Sequence, residues 1–173
     1  MSVETAQPLL FDRVVLKRHF LHTVPLSLRQ ARQFIKVHHR HNRPPRGCLV
    51  CVGIQSDRHI TLIGALVIGR PIARAYQDGV TAEVTRTCVV DCKNANSFCY
   101  GTARKIAKLL GYRRLITYTR EGESGTSLKA SGFKMIATRP PRKNWANSSV
   151  KLRGLRNTDE EENVTRYLWE VLL

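Results

Sequence analysis

The segment from 80 to 119 constrains the fold most. Residues 80–90 read as a strand, 94–110 as a helix closed by Gly111, and 115–119 as a second strand. Strand, helix, strand in this order belongs to a sheet with helices packed on it. In the helix, Phe98, Thr102, Ile106 and Leu109 form the expected apolar stripe. Arg104, Lys105 and Lys108 take the wet side, and Asn94 or Asn96 the cap. In the first strand, side chains alternate between faces. Ala82, Val84 and Cys88 then share one face, with Glu83 and Thr85 on the other. Glu83 and Arg86, three residues apart, point to opposite faces unless a bulge intervenes.

The flanking chain extends this pattern in both directions. Residues 13–20 suggest a short edge-like strand, and the run 24–27 the opening of a helix in which Ser27 and Gln30 make a capping box. Leu28, Ala31, Phe34, Ile35 and His38 mark that helix's inner side, and it must end by Arg43, ahead of Pro44 and Pro45. Residues 49–54 and 59–68 read as a hairpin whose second strand, rich in Ile, Leu and Val, is central. A polar excursion covers 71–79, a short helix 126–131, a strand 133–138 and a final strand 166–172. The expected fold is α/β (α+β): one domain over 1–173, with a mixed central sheet of six or seven strands flanked by three or four helices. It carries a short N-terminal extension, 1–12, and a basic loop insertion, 139–158.

Charge narrows the partners. Lys and Arg number 29 against 13 Asp and Glu, a net charge of +16. Either the surface is simply well solvated or the partner is a polyanion, such as DNA, RNA or a phosphate-rich cofactor. Two basic windows hold no acid. One carries Arg29, Arg32, Lys36, Arg40, Arg43 and Arg46; the other carries Arg139, Arg142, Lys143, Lys151, Arg153 and Arg156 around Trp145. The Asn and Ser residues interleaved in the second are phosphate and base-edge donors, and an exposed Trp can stack on a base. No apolar run is long enough to span a membrane, no secretory leader pattern opens the chain, and the odd count of five cysteines argues for a reducing cytosol.

The order of elements resembles the N-acyltransferase fold of GNAT type, and Gly125 to Phe133 resembles that family's last helix and turn. A closer resemblance is to the phage and plasmid acetyltransferase-like proteins akin to the Mom DNA-modification protein. It rests on His38-His39-Arg40-His41-Asn42-Arg43-Pro44-Pro45, on Gly69-Arg70-Pro71-Ile72-Ala73-Arg74 and on Glu83-Val84-Thr85-Arg86. Asn94-Ala95-Asn96-Ser97-Phe98-Cys99-Tyr100-Gly101, Gly111-Tyr112-Arg113-Arg114 with the strand after it, and Gly125-Thr126-Ser127-Leu128 complete the set. The resemblance implies an acyltransferase-like enzyme acting on the exocyclic N6 amine of adenine in DNA. An ordinary N-acetyltransferase of a small amine or protein, and a non-catalytic DNA-binding relative, are the alternatives.

The resemblance also implies a site. Acetyl-CoA or a related acyl donor would lie along Cys88, Val89, Val90, Lys93, Asn94, Ala95, Asn96 and Ser97, although this loop lacks the family's glycines. Catalytic candidates are His39, His41, Glu83, Arg86, Tyr118 and Ser127. Glu83 would take the amine's proton, Arg86 would neutralise a phosphate or hold a carboxylate, and Tyr118 or Ser127 would serve the leaving thiol. Each has a plainer reading: a buried ion pair for Glu83 and Arg86, an amphipathic core residue for Tyr118, a helix cap for Ser127, and hydrogen bonding at a helix end for the histidines. Zinc would need three or four converging ligands, and the histidine cluster with Cys48 or Cys51 is a thin basis for it; no metal is expected. Nucleic acid would be held by Arg40, Arg43, Arg46, Arg70, Arg142, Lys143, Trp145, Lys151 and Arg153.

Overall fold

The computed structural model describes residues 20–39, 44–57, 59–90, 92–141 and 164–173. Their order is β1 (Leu21–Pro25), α1 (Leu28–His38), β2 (Val50–Ser56), β3 (His59–Gly69), a 3-10 turn (Arg74–Tyr76), β4 (Thr81–Val89), α2 (Ala95–Leu109), β5 (Arg114–Arg120), α3 (Thr126–Ala130), β6 (Lys134–Arg139) and β7 (Arg166–Leu172). The seven strands form one sheet in the order β1-β2-β3-β4-β5-β7-β6. Every described pairing is antiparallel except β4 with β5. That single parallel step is the crossover through α2, because parallel neighbours need a connection long enough to hold a helix.

Local chemistry explains the first helix. Ser27 Oγ accepts the Gln30 amide at 3.3 Å while Gln30 Oε1 accepts the Ser27 amide at 3.0 Å, the expected reciprocal cap. Such a cap is worth about 1 kcal/mol. One expectation is corrected just before it. Val24 and Pro25 do not open the helix; they finish β1, where Pro25 pairs with Val52 of β2 at the sheet's edge. An edge strand tolerates proline because one side of its backbone needs no partner. The strand expected over 13–20 lies almost wholly outside the described residues, as do most of the 139–158 loop and the 1–12 extension.

Two layers cover the sheet. On one face α2 and α3 bury Tyr100, Ala103, Ala107 and Leu128 against Leu66, Ile68, Ala82, Val84, Leu115, Trp169 and Val171. On the other, α1 buries Ala31 and Ile35 against Ala65, Val67 and Cys88. The α2 stripe is therefore rotated from expectation: Ala95, Cys99, Tyr100, Ala103 and Ala107 are its buried residues, and Leu109 is 87% exposed. Small residues win the inner face because they let the helix lie close on the sheet, while Leu109 overhangs the last turn. His38, expected on the inner side of α1, is exposed and stacks on Phe34 with ring centroids 4.5 Å apart.

Candidate active site

A single inserted residue builds the centre of the site. The ladder between β3 and β4 pairs Val67 with Arg86 but Ile68 with Val84, so Thr85 is an extra residue on β4. A bulge of this kind shifts the alternation of everything after it. Cys88 consequently leaves the face of Ala82 and Val84 and packs beneath α1 instead. Glu83 opposite Gly69, Arg86 opposite Val67 and Cys88 opposite Ala65 now share one face. The bulge thus brings the Glu83 and Arg86 side chains onto the same side of the sheet.

Next to the bulge the sheet splits. β4 and β5 pair only at Thr81, Ala82 and Glu83 with Arg114, Leu115 and Ile116, although both strands run on. The last bond across the seam is from a side chain: Thr117 Oγ1 donates to the Val84 carbonyl at 2.9 Å. Beyond it β4 has an open edge from 85 to 89. Glu83 stands at the root of this gap. Tyr118, two residues past Ile116 and on its face, stands half-buried on the opposite bank.

Glu83 is a buried acid in an apolar setting. It is 3% exposed, and its Oε2 accepts the Ile72 amide at 2.8 Å. Burial pushes its pKa up to about 7, against the opposing pull of the Ile72 hydrogen bond and the Arg86 charge. A carboxylate tuned to neutrality is what general-base chemistry requires. The plainer reading of Glu83 and Arg86 as a structural ion pair is the weaker one: desolvation outweighs the charge of Arg86, so the pair leaves the acid easily protonated rather than locked in its ionised form.

The loop over Glu83 is braced from outside. Gln77 Nε2 donates to the Pro71 carbonyl at 2.8 Å. Asp78 accepts the Val80 and Thr81 amides at 3.0 and 2.8 Å, the Thr81 hydroxyl at 2.8 Å and Arg114 Nη2 at 2.6 Å. These bonds, the Thr81 hydroxyl first, hold the Asp78 carboxyl down to about 2. Arg114 also donates from Nε to the Thr81 hydroxyl at 2.9 Å, reaches Glu170 at 3.4 Å and lies over the Tyr76 ring. The sequence reading missed Asp78, Arg114 and the Ile72 amide; the acid-glycine pair Asp78-Gly79 before a strand was the available signal. Arg114→Gln is expected to loosen the Ile72 amide and so move the Glu83 titration midpoint up by about half a unit. Carbon NMR of the Glu83 carboxyl against pH checks this.

On the other face, the β4–α2 loop supplies a helix start suited to an anion. Asn94, at the N-cap position, has φ 65, and it alone among the described non-glycine residues has positive φ. Asn tolerates this left-handed conformation better than other side-chain-bearing residues, so it takes the place of the missing glycine. Its side chain makes no cap bond, contrary to the expected Asn cap, and the first turn carries no acid. The Ala95 amide donates to the Cys92 carbonyl at 3.2 Å, which leaves the Asn96 and Ser97 amides of the first turn to face an anion, beside the exposed Lys93. Ser131 ties α3 to this place: its hydroxyl donates to the Ser97 carbonyl at 3.1 Å and to the Ser127 carbonyl at 2.8 Å. Ser127 lies inside α3 rather than capping it, since Gly125 holds the N-cap position.

The expected site residues thus fall into separate groups. Glu83, Arg86 and Tyr118 share the α1 face around the gap, while Lys93 to Ser97 and Ser127 meet on the α2 face. The sheet lies between the two groups and the gap is the opening through it. His39 caps the end of α1, its amide donating to the Ile35 carbonyl at 2.9 Å. His41, Arg40, Arg43, Arg142, Lys143, Trp145, Lys151 and Arg153 lie outside the described residues. Arg46 and Arg70 are exposed, and Arg70 directly follows Gly69, the partner of Glu83. Thr87 and the buried Tyr100, neither of them expected in the site, join hydroxyls at 3.3 Å below the open edge. Among the described residues no three His, Cys, Asp or Glu side chains converge as metal ligands, and no helix is long and apolar enough to cross a membrane.

A split sheet with a bulge beside the split, and a helix starting from the split strand, defines the class: this is the GNAT acetyltransferase fold. Solved structures with that fold superpose on most of the chain. An acetyltransferase from Bacillus subtilis in complex with CoA is 12% identical, with a TM-score of 0.58 over 90% of this chain and 99% of that one. An acetyltransferase of the GNAT family from Streptococcus pneumoniae is 10% identical, with a TM-score of 0.56 over 89% and 99%. The ribosomal-protein-S18-alanine N-acetyltransferase from Escherichia coli is 8% identical, with a TM-score of 0.57 over 88% and 94%. No protein-family model matches the sequence, and no curated protein matches it.

Proposed function

We propose that the chain is an acyl-CoA-dependent N-acyltransferase whose acceptor is the exocyclic N6 amine of adenine in DNA. The observation that carries the acyltransferase reading is Glu83: buried, at the root of the β4–β5 gap, with its pKa raised to about 7. The DNA acceptor is supported by the net charge of +16 and by the Mom-like motifs, which include Glu83 and Arg86.

The residues present fit a coenzyme A donor. The first turn of α2, with the Asn96 and Ser97 amides, Lys93 beside it and no acid in it, suits the pyrophosphate. The open edge of β4 at Val89 offers main-chain partners to the donor's amides, whereas the Val90 amide is taken by the Ile63 carbonyl at 2.8 Å. When bound, the donor supplies a thioester carbonyl open to attack. Asn94→Gly is expected to keep coenzyme A affinity within about twofold, because glycine adopts the left-handed backbone freely. Asn94→Val is expected to weaken it about tenfold or more, since a β-branched residue resists that backbone by 1–2 kcal/mol or so. Isothermal titration with coenzyme A reads both.

On the acceptor side, Glu83 takes the proton from the attacking amine, and a pKa near the working pH leaves a useful fraction ionised. Arg86, on the same face, holds the carboxylate or a phosphate of the acceptor. Tyr118, on the facing bank, donates a proton to the departing thiolate. Adenine N6 is a weak nucleophile, its lone pair being delocalised into the ring, and a duplex hides it. The base must be extruded into the gap and desolvated there.

The test is mass spectrometry of nucleosides from DNA of cells expressing the chain, beside cells expressing Glu83→Gln. A heavier adenosine present only with the unaltered chain is the expected result. Unmodified DNA in both, with acetylated amines appearing on a small molecule or protein instead, would favour an ordinary N-acetyltransferase. The names borne by the structural neighbours support that second reading.

A further inference from the structure

We infer that the solvent face of α1 is the track on which the acceptor's phosphates lie, a deepening that rests on the DNA reading above. The helix Leu28–His38 contains no acidic residue. Ala31 and Ile35 are buried in the sheet, and Arg29, Arg32, Gln33 and Lys36 are exposed on the side turned away from it. Among the described residues none of the three cations enters an ion pair.

Their spacing suits a strand of phosphates. At 1.5 Å of rise per residue, Arg29 to Lys36 spans about 10.5 Å, with Arg32 between them and slightly to one side. A row of this length lies within side-chain reach of about two to three successive phosphates of one DNA strand. Gln33 adds an amide donor of the kind that fixes register on a backbone. Position agrees with charge. α1 lies on the sheet face that carries Glu83 and Arg86. The chain leaving α1 returns to the sheet at Val50, which pairs with Ile68, which pairs with Val84, the residue after Glu83. A duplex lying along α1 is thereby delivered to the side of the sheet on which the proposed base stands.

The experiment measures affinity of the full chain for a fluorescently labelled duplex of about 20 base pairs across a series of NaCl concentrations. Three proteins are compared: the unaltered chain, the triple variant Arg29→Gln, Arg32→Gln, Lys36→Gln, and a charge-matched triple on exposed residues elsewhere, Lys105→Gln, Lys108→Gln, Arg113→Gln. Glutamine keeps helix propensity close to that of Arg and Lys, and far-UV circular dichroism confirms that both variants fold. Each phosphate neutralised contributes about 0.9 to the slope of log K against log salt. The α1 triple is expected to lose about 2–3 from that slope and the control triple less than 1. An unchanged slope in the α1 triple, or equal losses in both triples, would overturn the track while leaving DNA as the acceptor. An unaltered chain that does not bind the duplex even at low salt would overturn the DNA reading and the track with it.

Discussion

Glu83→Gln is expected to lower kcat by about 10²–10⁴-fold and, at pH 8, to make the protein more stable. The first effect is the usual worth of a positioned general base. Gln retains an oxygen to accept the Ile72 amide, so the geometry at 2.8 Å survives while the proton acceptor is lost. The second effect follows from linkage. In the folded chain the Glu83 pKa lies near 7, above its ordinary value, because burial penalises the charged form. The folded state therefore binds the proton more tightly than the unfolded one. Stability is greatest below the unfolded pKa and falls as pH rises through about 4.5 to 7, reaching its full loss above that window. A shift of this size corresponds to about 3 kcal/mol at pH 8, and the neutral amide avoids it. The activity of the unaltered chain should fall on the acid side with a midpoint near pH 7, as its base becomes protonated. Steady-state rates against pH and thermal melting at pH 5 and pH 8 check the three expectations together. A Gln variant that is inactive and also less stable at pH 8 would mark Glu83 as a structural partner rather than a base.

Gly125→Ala is expected to be the most damaging small substitution in the described chain. Gly125 has φ 63, and a Cβ there would clash with the Cζ2 and Cη2 atoms of Trp169, which is itself buried. The left-handed backbone costs a side-chain-bearing residue about 1–2 kcal/mol. Displacing a packed ring adds roughly another 1–3 kcal/mol. Trp169 cannot move freely, because its Nε1 donates to Thr119 Oγ1 at 2.9 Å, buried within the sheet. A loss of about 2–5 kcal/mol would lower Tm by about 4–20 °C in a chain of this length. Differential scanning calorimetry measures it. A change below 3 °C would mean that α3 and its preceding turn swing away from Trp169 at little cost.

Elements built on local signals were legible. The Ser27–Gln30 cap, the helix ending before Pro44, the hairpin through 55–58 and the strand, helix, strand unit all follow from neighbours in sequence, as does the mixed sheet. Glu83 was also legible as a candidate, because a charge among strand residues raises a question by itself. The rotation of α2 was not. Hydrophobicity picked Phe98, Ile106 and Leu109 as the inner stripe, yet the close approach of the helix to the sheet selects by size, so Ala95, Ala103 and Ala107 take that place. The brace from Arg114 to Asp78 was hidden for a related reason, since its partners are 36 residues apart.

Sequence alone determined the kind of sheet, the Ser27–Gln30 cap and the basic composition, because each depends on composition or on contacts within a few residues. Tertiary structure decided which face each site residue joins. One extra residue, Thr85, against Ile68 reverses the alternation of β4 and carries Arg86 and Cys88 to the side of Glu83. The parting of β4 from β5 beyond Glu83 then opens the gap beside them. Neither is written in β4 itself, since a bulge and a split in a ladder are properties of two strands in register, fixed only when the partner strand is in place.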